Sequence, residues 1–355
     1  MIDKLYGLKI RNLDGSSFIF NEKTAPATNL WTRYVRTSDG LSPDGGWMTY
    51  KWTCPVKIPE GFDWQVIGGN SAEVTFRQVG DRRYVTGTRD LASSFESNGV
   101  VTITGLYDAN NNYVKIIAYP TEKTQSSIKA NFGFRVAGSS IFTNEIPPTG
   151  YAYSMKAKVV IDKKFYPQNV FPGLTIENAV YFFYTDDGSS FISLGFENSQ
   201  RIFVSKSRFN PNSEDYTKAS YWVVAFVNMS PSQLDEKGFG LKIRNLKGEV
   251  TFNSSFGVMT RPTAVPGNTI PVNAGIRVEN ISRPMYSPTT LGETFRSDGG
   301  AAQFRSIHPG NIDAYTIGLC EVNSWWQRGH HGDYTVARTA RPAIILDAAD
   351  YFPFP

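Results

Sequence analysis

Residues 6–15 read YGLKIRNLDG and residues 239–248 read FGLKIRNLKG, so one decapeptide occurs twice at widely separated positions. The stretch from Gly7 to Leu13 is identical to the stretch from Gly240 to Leu246. Self-similarity over this length marks a repeated structural unit and decides the fold before any local pattern does. We refer to this decapeptide and its copies as the signature.

A third, shorter copy of the signature lies between the other two. Residues 132–145 read FGFRVAGSSIFTNE and follow the pattern of residues 6–22, YGLKIRNLDGSSFIFNE, with a shorter turn and without the asparagine. The three starting points divide the chain into three predicted units. These units are residues 1–127, 128–233 and 234–355.

Each signature predicts a β-hairpin, because apolar and basic residues alternate before a glycine-containing turn and a second apolar stretch follows. In the first copy, Leu8 and Ile10 are expected to face inward while Lys9 and Arg11 face solvent. Residues 241–244 repeat the same alternation. We interpret the basic pair as a solvated face of the hairpin rather than as a ligand site.

The rest of each unit also has the pattern of short strands. Each unit ends on an apolar strand, at residues 113–120, 221–229 and 334–346. The 31 Gly and 20 Pro are spread along the chain, as many turns require, and no long stretch carries a helical stripe. Units of roughly 100 residues have the size of a sandwich domain. The predicted fold is all-β, with three tandem β-sandwich domains of immunoglobulin-like or jelly-roll-like type.

Turn and linker composition supports this division. Residues 178–196 predict two strands joined across Asp187 and Gly188, a favoured tight-turn pair. Residues 120–131 and 230–238 are polar and lack apolar periodicity, so they are predicted linkers. Because both linkers are short, neighbouring units are expected to touch and to form a semi-rigid rod.

Composition excludes several classes of protein. The 355 residues carry a net charge of +4 with basic and acidic residues interspersed, which argues against a nucleic-acid-binding face. Cys54 and Cys320 fall in different units and are predicted to be free, packed thiols. The opening residues lack the apolar region of a signal peptide, and no long apolar span predicts membrane insertion. We therefore expect synthesis in the cytoplasm.

No catalytic motif is present in the sequence. It contains no G-x-S-x-G, H-E-x-x-H, P-loop or G-x-G-x-x-G pattern, and only 3 His are available as bases or metal ligands. We predict that the chain is not an enzyme and binds no cofactor. A pair of glycosidase carboxylates stays open as an alternative, because such residues need not be adjacent in sequence.

One short cluster offers weak candidates for a metal site. His330, His331 and Asp333 lie within four residues of each other, between glycines. Adjacent histidines on a strand point to opposite faces, so they would converge on a metal only in a loop. A solvated hairpin loop before the closing strand is the favoured interpretation, and a metal site is the alternative.

Two aromatic segments are candidates for contact with a partner or a glycan. On a strand, one indole of the pair Trp325 and Trp326 faces the core and the other faces out, where it can pack against a protein or stack on a sugar ring. The C-terminal segment contains Tyr351, Phe352 and Phe354 and is interrupted by prolines. It is expected either to pack against its own domain or to dock into a neighbouring subunit.

The signature resembles the start of a family of uncharacterised proteins of tailed bacteriophages, which begin with a pattern like Y-G-L-x-V-x-N-x-x-G-x-x-x-F and are associated with phage tails. The copies at residues 6–20 and 239–252 carry the match, and the middle copy departs from it. The resemblance implies a structural virion protein at the tail tip or on tail fibres, without catalytic residues. It implies other virion proteins as partners and oligomers in the assembled particle.

Two functions within the virion are therefore the leading hypotheses. The first is a tail-tip or tail-fibre component that mediates assembly or contact with a host-surface glycan or receptor. A head decoration or head-fibre protein is the alternative within the virion, and position in the particle would separate the two. A carbohydrate-active enzyme that trims host polysaccharide and a secreted adhesin are the remaining alternatives.

Overall fold

The computed structural model of the chain describes a defined set of residues, on which all structural statements below are based. These residues are 8–11, 17–20, 27–34, 42–44, 47–59, 62–68, 72–90, 92–106, 113–120, 133–134, 142–143, 152–198, 200–210, 215–235, 241–244, 248–259, 262–297 and 301–354. Strands dominate them, and the predicted all-β, sandwich-type class is confirmed.

The strands are numbered in chain order. The first are β1 (Leu8–Arg11), β2 (Ser17–Phe20), β3 (Thr28–Tyr34), β4 (Ser42–Asp44), β5 (Trp47–Thr53), β6 (Phe62–Gly68), β7 (Ala72–Val79), β8 (Arg82–Asp90), β9 (Ala92–Ser97), β10 (Val100–Leu106) and β11 (Tyr113–Pro120). Next are β12 (Gly133–Phe134), β13 (Phe142–Thr143), β14 (Ala152–Asp162), β15 (Lys164–Phe165), β16 (Val180–Tyr184), β17 (Ser190–Glu197), β18 (Gln200–Ser207) and β19 (Lys218–Asn228). The last are β20 (Lys242–Arg244), β21 (Val250–Asn253), β22 (Gly257–Val258), β23 (Thr263–Pro266), β24 (Pro284–Tyr286), β25 (Gly292–Ser297), β26 (Ala301–Asp313), β27 (Thr316–Arg328), β28 (His330–His331), β29 (Thr335–Arg338) and β30 (Pro342–Asp347).

All three signatures form antiparallel hairpins, as predicted. Strand β1 pairs with β2, β12 with β13, and β20 with β21, and each pair is a separate two-stranded sheet. In the third hairpin, Leu241 and Ile243 pack into a small apolar cluster with Tyr153 of β14. The expected inward face of the signature is therefore confirmed in this copy.

The basic pair of the third signature has a structural partner. Arg244 Nη2 lies 2.7 Å from Asp235 Oδ1, and Lys242 Nζ lies 3.4 Å from the same oxygen. Asp235 follows the short helix α1 (Pro231–Leu234), which begins at Ser230 with a capping box. The predicted linker at 230–238 thus contains a capped helical turn that is tied to the hairpin, and residues 121–131 lie outside the described residues.

A seven-stranded sheet, here called the large sheet, is central to the fold. Its strand order is β22-β14-β19-β16-β24-β30-β23. Strand β16 reads VYFFY and is buried along its whole length. Tyr181 and Phe183 point into one core, whereas Val180, Phe182 and Tyr184 point into another. This continuous apolar run is typical of a strand that is covered on both faces.

Sheets cover the large sheet on both sides. One face packs against the sheet β15-β18-β17 and against the part of the β26–β27 hairpin nearest its turn, residues 307–322. The other face packs against the sheet β3-β11-β6, which in turn packs against β4-β5-β10-β9. Strand β11 alternates accordingly, with Ile116 and Ala118 on the outer side and Ile117 and Tyr119 toward the large sheet. The large sheet is therefore the middle layer of a stack of sheets.

The predicted boundary between residues 233 and 234 runs through the large sheet. Strands β14, β16 and β19 precede this boundary, and β22, β23, β24 and β30 follow it. Strands from the two sides pair at two places, Tyr153 with Val258 between β14 and β22, and Phe183 with Tyr286 between β16 and β24. Because an unpaired edge of a sheet exposes backbone groups, pairing across the boundary satisfies both strands. Residues 152–347 therefore contribute strands to one sheet.

Two local predictions can also be compared with the structure. The strands on either side of Asp187 and Gly188 exist, but β16 and β17 lie in different layers, so the turn is a crossover and not a hairpin. A Cβ atom at Gly188 would overlap the carbonyl oxygen of Ile312, which explains the glycine. Cys54 and Cys320 are free and buried, as predicted.

Candidate binding face

The strongest candidate site lies on the sheet β27-β26-β25-β29, here called the long-hairpin sheet. Trp326 belongs to strand β27, where it pairs with Gln303 of β26, and its side chain is 58% exposed. The tryptophan pair therefore lies on a strand. The side chain of Trp325 lies outside the described residues.

Cross-strand register places four side chains in one row on the same face of this sheet. Trp326 is opposite Gln303, Gln303 is opposite Arg296, and the pairing of Phe295 with Thr335 sets Arg296 opposite Tyr334. We call this side of the sheet the outer face. With strands about 4.8 Å apart, Trp326 and Tyr334 are about 14 Å apart along the row. Arg296 is exposed between them.

A hydrogen-bonded network lies beside this row. Arg305 Nη1 donates to Glu321 Oε2 at 2.7 Å, and Arg305 Nη2 donates to Gln303 Oε1 at 2.7 Å. The other carboxylate oxygen, Glu321 Oε1, accepts from Thr294 Oγ1 at 2.8 Å and from the Tyr334 hydroxyl at 3.3 Å. The network links three strands and the residue that precedes β29.

A β-bulge puts Glu321 into this network. Between the pairs Phe304–Trp325 and Ser306–Val322, strand β27 has one residue more than β26. The extra residue reverses the alternation of β27, so Glu321 and Trp326 share the outer face although an odd number of positions separates them. Glu321 is only 8% exposed and is held by its donors.

The network also fixes Tyr334. Its side chain is 54% exposed, while its hydroxyl is anchored on Glu321. Partial burial raises the pKa of Tyr334 to about 12, and the nearby Glu321 carboxylate adds to the increase. The hydroxyl therefore stays a donor at neutral pH, and one ring face is held open to solvent.

The opposite face of the long-hairpin sheet packs against the β7–β8 hairpin of the first unit. The ring centroid of Phe76 lies 5.4 Å from that of Phe295 and 5.8 Å from that of Phe304. Aromatic pairs in this edge-to-face geometry stabilise a core beyond their buried area. The outer face is thus supported from behind by a rigid aromatic layer.

The histidine pair is part of this support. His330 and His331 form strand β28, which pairs in parallel with β8, so the predicted solvated loop is wrong for these two residues. The His330 ring is buried 4.5 Å from the ring of Phe76, whereas the His331 ring lies 5.6 Å from that of Tyr84 on the other side of the strand. Burial, with Arg83 and His331 nearby, lowers the pKa of His330.

The weak metal candidates are therefore not brought together. The rings of His330 and His331 point to opposite sides of β28, and Asp333 is exposed beyond it. Within the described ranges, no three His, Cys, Asp or Glu side chains form a group that could hold a metal ion.

The C-terminal aromatic residues pack on their own chain. Tyr351 is 6% exposed, and its ring centroid lies 5.5 Å from that of Phe226. The ring of Phe354 contacts Tyr184 and Trp222, and Phe352 is partly buried in the same cluster. Of the two expectations for this segment, packing against its own domain is the one that the structure has.

Two of the buried ionisable groups lie opposite each other on the β26–β27 hairpin. His308 is opposite Cys320 on the β26–β27 hairpin, and burial lowers the pKa of His308 to about 3. Burial also raises the pKa of the Cys320 thiol to about 12. A thiol in this state is a poor nucleophile, because the thiolate is the reactive form.

The sequence identified Trp326 but not the other residues of the outer face. Gln303 and Arg305 alternate with Ala302 and Phe304 in the segment AQFR, which is the pattern of a strand with one polar face. Tyr334 is the first residue of the predicted closing strand at residues 334–346. Nothing local indicates that Glu321 joins them, because its position depends on the bulge.

In the part of the chain that the structure describes, no helix is long and apolar enough to cross a membrane. Comparison with protein-family models, with curated proteins and with solved structures finds no match for this chain.

Proposed function

We propose that the chain is a structural virion protein of a tailed bacteriophage, located at the tail tip or on tail fibres, where it serves assembly or contact with the host surface. The observation that carries this proposal is the signature. It occurs three times, it forms a hairpin each time, and it resembles the opening of a family associated with phage tails.

The architecture is compatible with a particle component. Layered sheets share continuous cores, and contacts between the first unit and the remainder are made by apolar side chains from several strands. Such packing gives a stiff body, since protein interiors are densely packed and deform little. Other virion proteins would be its partners, and copies would follow the rotational symmetry of the tail.

The third hairpin supports an assembly role for the signature. Its basic residues are tied to Asp235 and its apolar face is packed against Tyr153, so the hairpin is a fixed extension of the body. A hairpin held in this way keeps a constant position on the body. This is the property that a repeated attachment element requires.

The proposal is tested on purified particles of the phage that encodes the chain. Particles that carry an epitope-tagged copy are labelled with gold-conjugated antibody and imaged by electron microscopy, with untagged particles as the control. Label at the tail is the expected result. Label on the capsid would replace the proposal with the head-decoration alternative, and absence of the protein from gradient-purified particles by mass spectrometry would refute a virion role.

A further inference from the structure

We propose that the outer face of the long-hairpin sheet binds a polysaccharide that carries acidic groups. This inference rests on the proposed function, because it names the ligand class of the host contact. It is carried by the geometry of Trp326, Tyr334, the exposed Arg296 between them and the charged network beside them.

A surface on which a sugar ring stacks needs aromatic side chains that are exposed and held in place, and Trp326 and Tyr334 are both. Trp326 is 58% exposed and Tyr334 is 54% exposed, although large aromatic residues are usually covered. Trp326 is carried by a paired strand, and the Tyr334 hydroxyl is held by Glu321. Rigid rings lose little conformational entropy when a ligand stacks on them.

The groups between the aromatics are polar, planar and already oriented. Arg296 is exposed in the row, whereas Gln303 is only 8% exposed and, together with Glu321, holds Arg305 in place. Guanidinium and amide groups donate well to hydroxyl and carboxylate oxygens. A sugar chain across the row would meet a ring face at each end and hydrogen-bond donors in the middle.

Charge favours an acidic ligand. The ionised groups of this face near the row are Arg296, Arg305, Arg328 and Glu321, and three arginines with one glutamate sum to +2. Glu321 is already neutralised by Arg305, so the groups left facing the ligand are the exposed Arg296 and Arg328. An arginine between stacking rings suits a carboxylate, phosphate or sulfate group on the polysaccharide.

The same features disfavour other macromolecules. A protein partner would bury a continuous apolar patch at the centre of its interface, whereas charged and amide groups here separate the two rings. A single strand of nucleic acid would need several cations along its backbone, whereas this face offers two exposed arginines, Arg296 and Arg328, beside a carboxylate.

The test measures binding of the full-length purified protein to polysaccharides by affinity electrophoresis. The probes are the capsular and lipopolysaccharide fractions of the host strain, polygalacturonate and polysialic acid, with dextran as the neutral comparison. We expect binding to at least one acidic polysaccharide, weaker binding to dextran, and a loss of affinity on raising the salt concentration from about 50 to about 300 mM.

Substitutions on the outer face separate stacking from charge. Trp326→Ala and Tyr334→Ala should each weaken binding by about tenfold or more, which corresponds to about 1.4 kcal/mol. Tyr334→Phe keeps the ring and should lose less, and Arg296→Gln should remove the preference for acidic over neutral chains. The matched control is Tyr315→Ala, because Tyr315 is 49% exposed at the other end of the same hairpin.

Defined results would overturn the inference. It fails if no acidic polysaccharide binds the wild-type protein, or if Trp326→Ala and Tyr334→Ala bind like Tyr315→Ala. Stronger binding to single-stranded DNA than to any polysaccharide would replace it with a nucleic-acid site. If the wild-type protein binds no polysaccharide while the antibody label is still found at the tail, this inference fails and the proposed function stands, so the two failures are distinguishable.

Discussion

Lys115 provides a test of how the first unit is attached to the large sheet. It belongs to β11, is 3% exposed, and points toward the large sheet. Its ammonium donates to the carbonyl oxygen of Ile176 at 2.8 Å and to that of Ala179. Burial lowers the pKa of Lys115 to about 7, and Glu177 partly offsets the effect. This attachment therefore contains a titratable group.

The sign of the pH effect follows from the two pKa values. In the unfolded chain the lysine has a pKa of about 10.4, so between about pH 7 and about pH 10.4 the unfolded state binds more protons. The free energy of unfolding consequently rises with pH in this window. Because one proton distinguishes the two states, the free energy of unfolding increases by about 2 kcal/mol from about pH 7 to about pH 9.

The perturbation is Lys115→Met, which keeps the length of the side chain and removes the proton. The variant leaves the carbonyls of Ile176 and Ala179 without their donor, at a cost of about 1–3 kcal/mol each that is independent of pH. The informative quantity is therefore the difference between the two proteins at two pH values. Wild type should gain about 2 kcal/mol relative to Lys115→Met between about pH 7 and about pH 9.

The assay is urea denaturation followed by tryptophan fluorescence, since the chain contains 7 Trp. Lys218→Met, which changes an exposed lysine at the start of β19, is the matched control and should behave as wild type at both pH values. If the stability difference between wild type and Lys115→Met is the same at both pH values, Lys115 is not buried against the large sheet and the layered attachment of the first unit is wrong.

Three further predictions address other parts of the fold. Gly188→Ala should destabilise the protein by about 1–3 kcal/mol because its Cβ would overlap a backbone carbonyl, whereas Gly87→Ala, with only an ordinary contact, should change stability by less than about 0.5 kcal/mol in urea denaturation. Burial raises the pKa of both Cys54 and Cys320, so neither thiol should react with iodoacetamide at neutral pH until the protein is unfolded; fast labelling of the native protein, measured by mass spectrometry, would contradict this. Tyr351→Ala should cost about 3 kcal/mol, and an unchanged thermal midpoint would show that the C-terminal segment does not pack on the large sheet.

The signature hairpins could be predicted because all their information is local. Alternation gives the strands and faces, the glycine-containing turn gives the connection, and both strands lie within about 20 residues of each other. The pairing of Leu8 with Phe20 and of Lys242 with Asn253 follows from that turn. The repeat supports the hairpin prediction, since the same local pattern recurs in each copy.

The large sheet could not be predicted in the same way. Period-two alternation identifies a strand and its faces but not its partner. Strand β24 contains three residues, begins with Pro284, and links β16 to β30 although Phe183 and Tyr286 are about 100 residues apart. A short strand that begins with proline carries a weak pattern, so the junction between the second and third units left no local trace.

The structure of His330 and His331 depends on a distant segment as well. Glycines on both sides favoured a loop, yet β28 is a strand because β8 of the first unit supplies its backbone partner. The same hairpin buries Phe76 against Phe295 and so supports the outer face from behind. The candidate site is therefore a joint product of the first and third units, and an isolated third unit would lack that support.

The signature hairpins and the shared sheets differ in a way that indicates which part of the protein could bind a specific ligand. Every described signature strand pairs only with its own partner, in a sheet of two strands, whereas the other strands of the units have merged into shared layers. An element that is repeated and that pairs with no other described strand is suited to a contact that all units make. A specific ligand instead requires a feature that occurs once, and the row from Trp326 to Tyr334, created by a bulge in β27 and supported by the first unit, is such a feature.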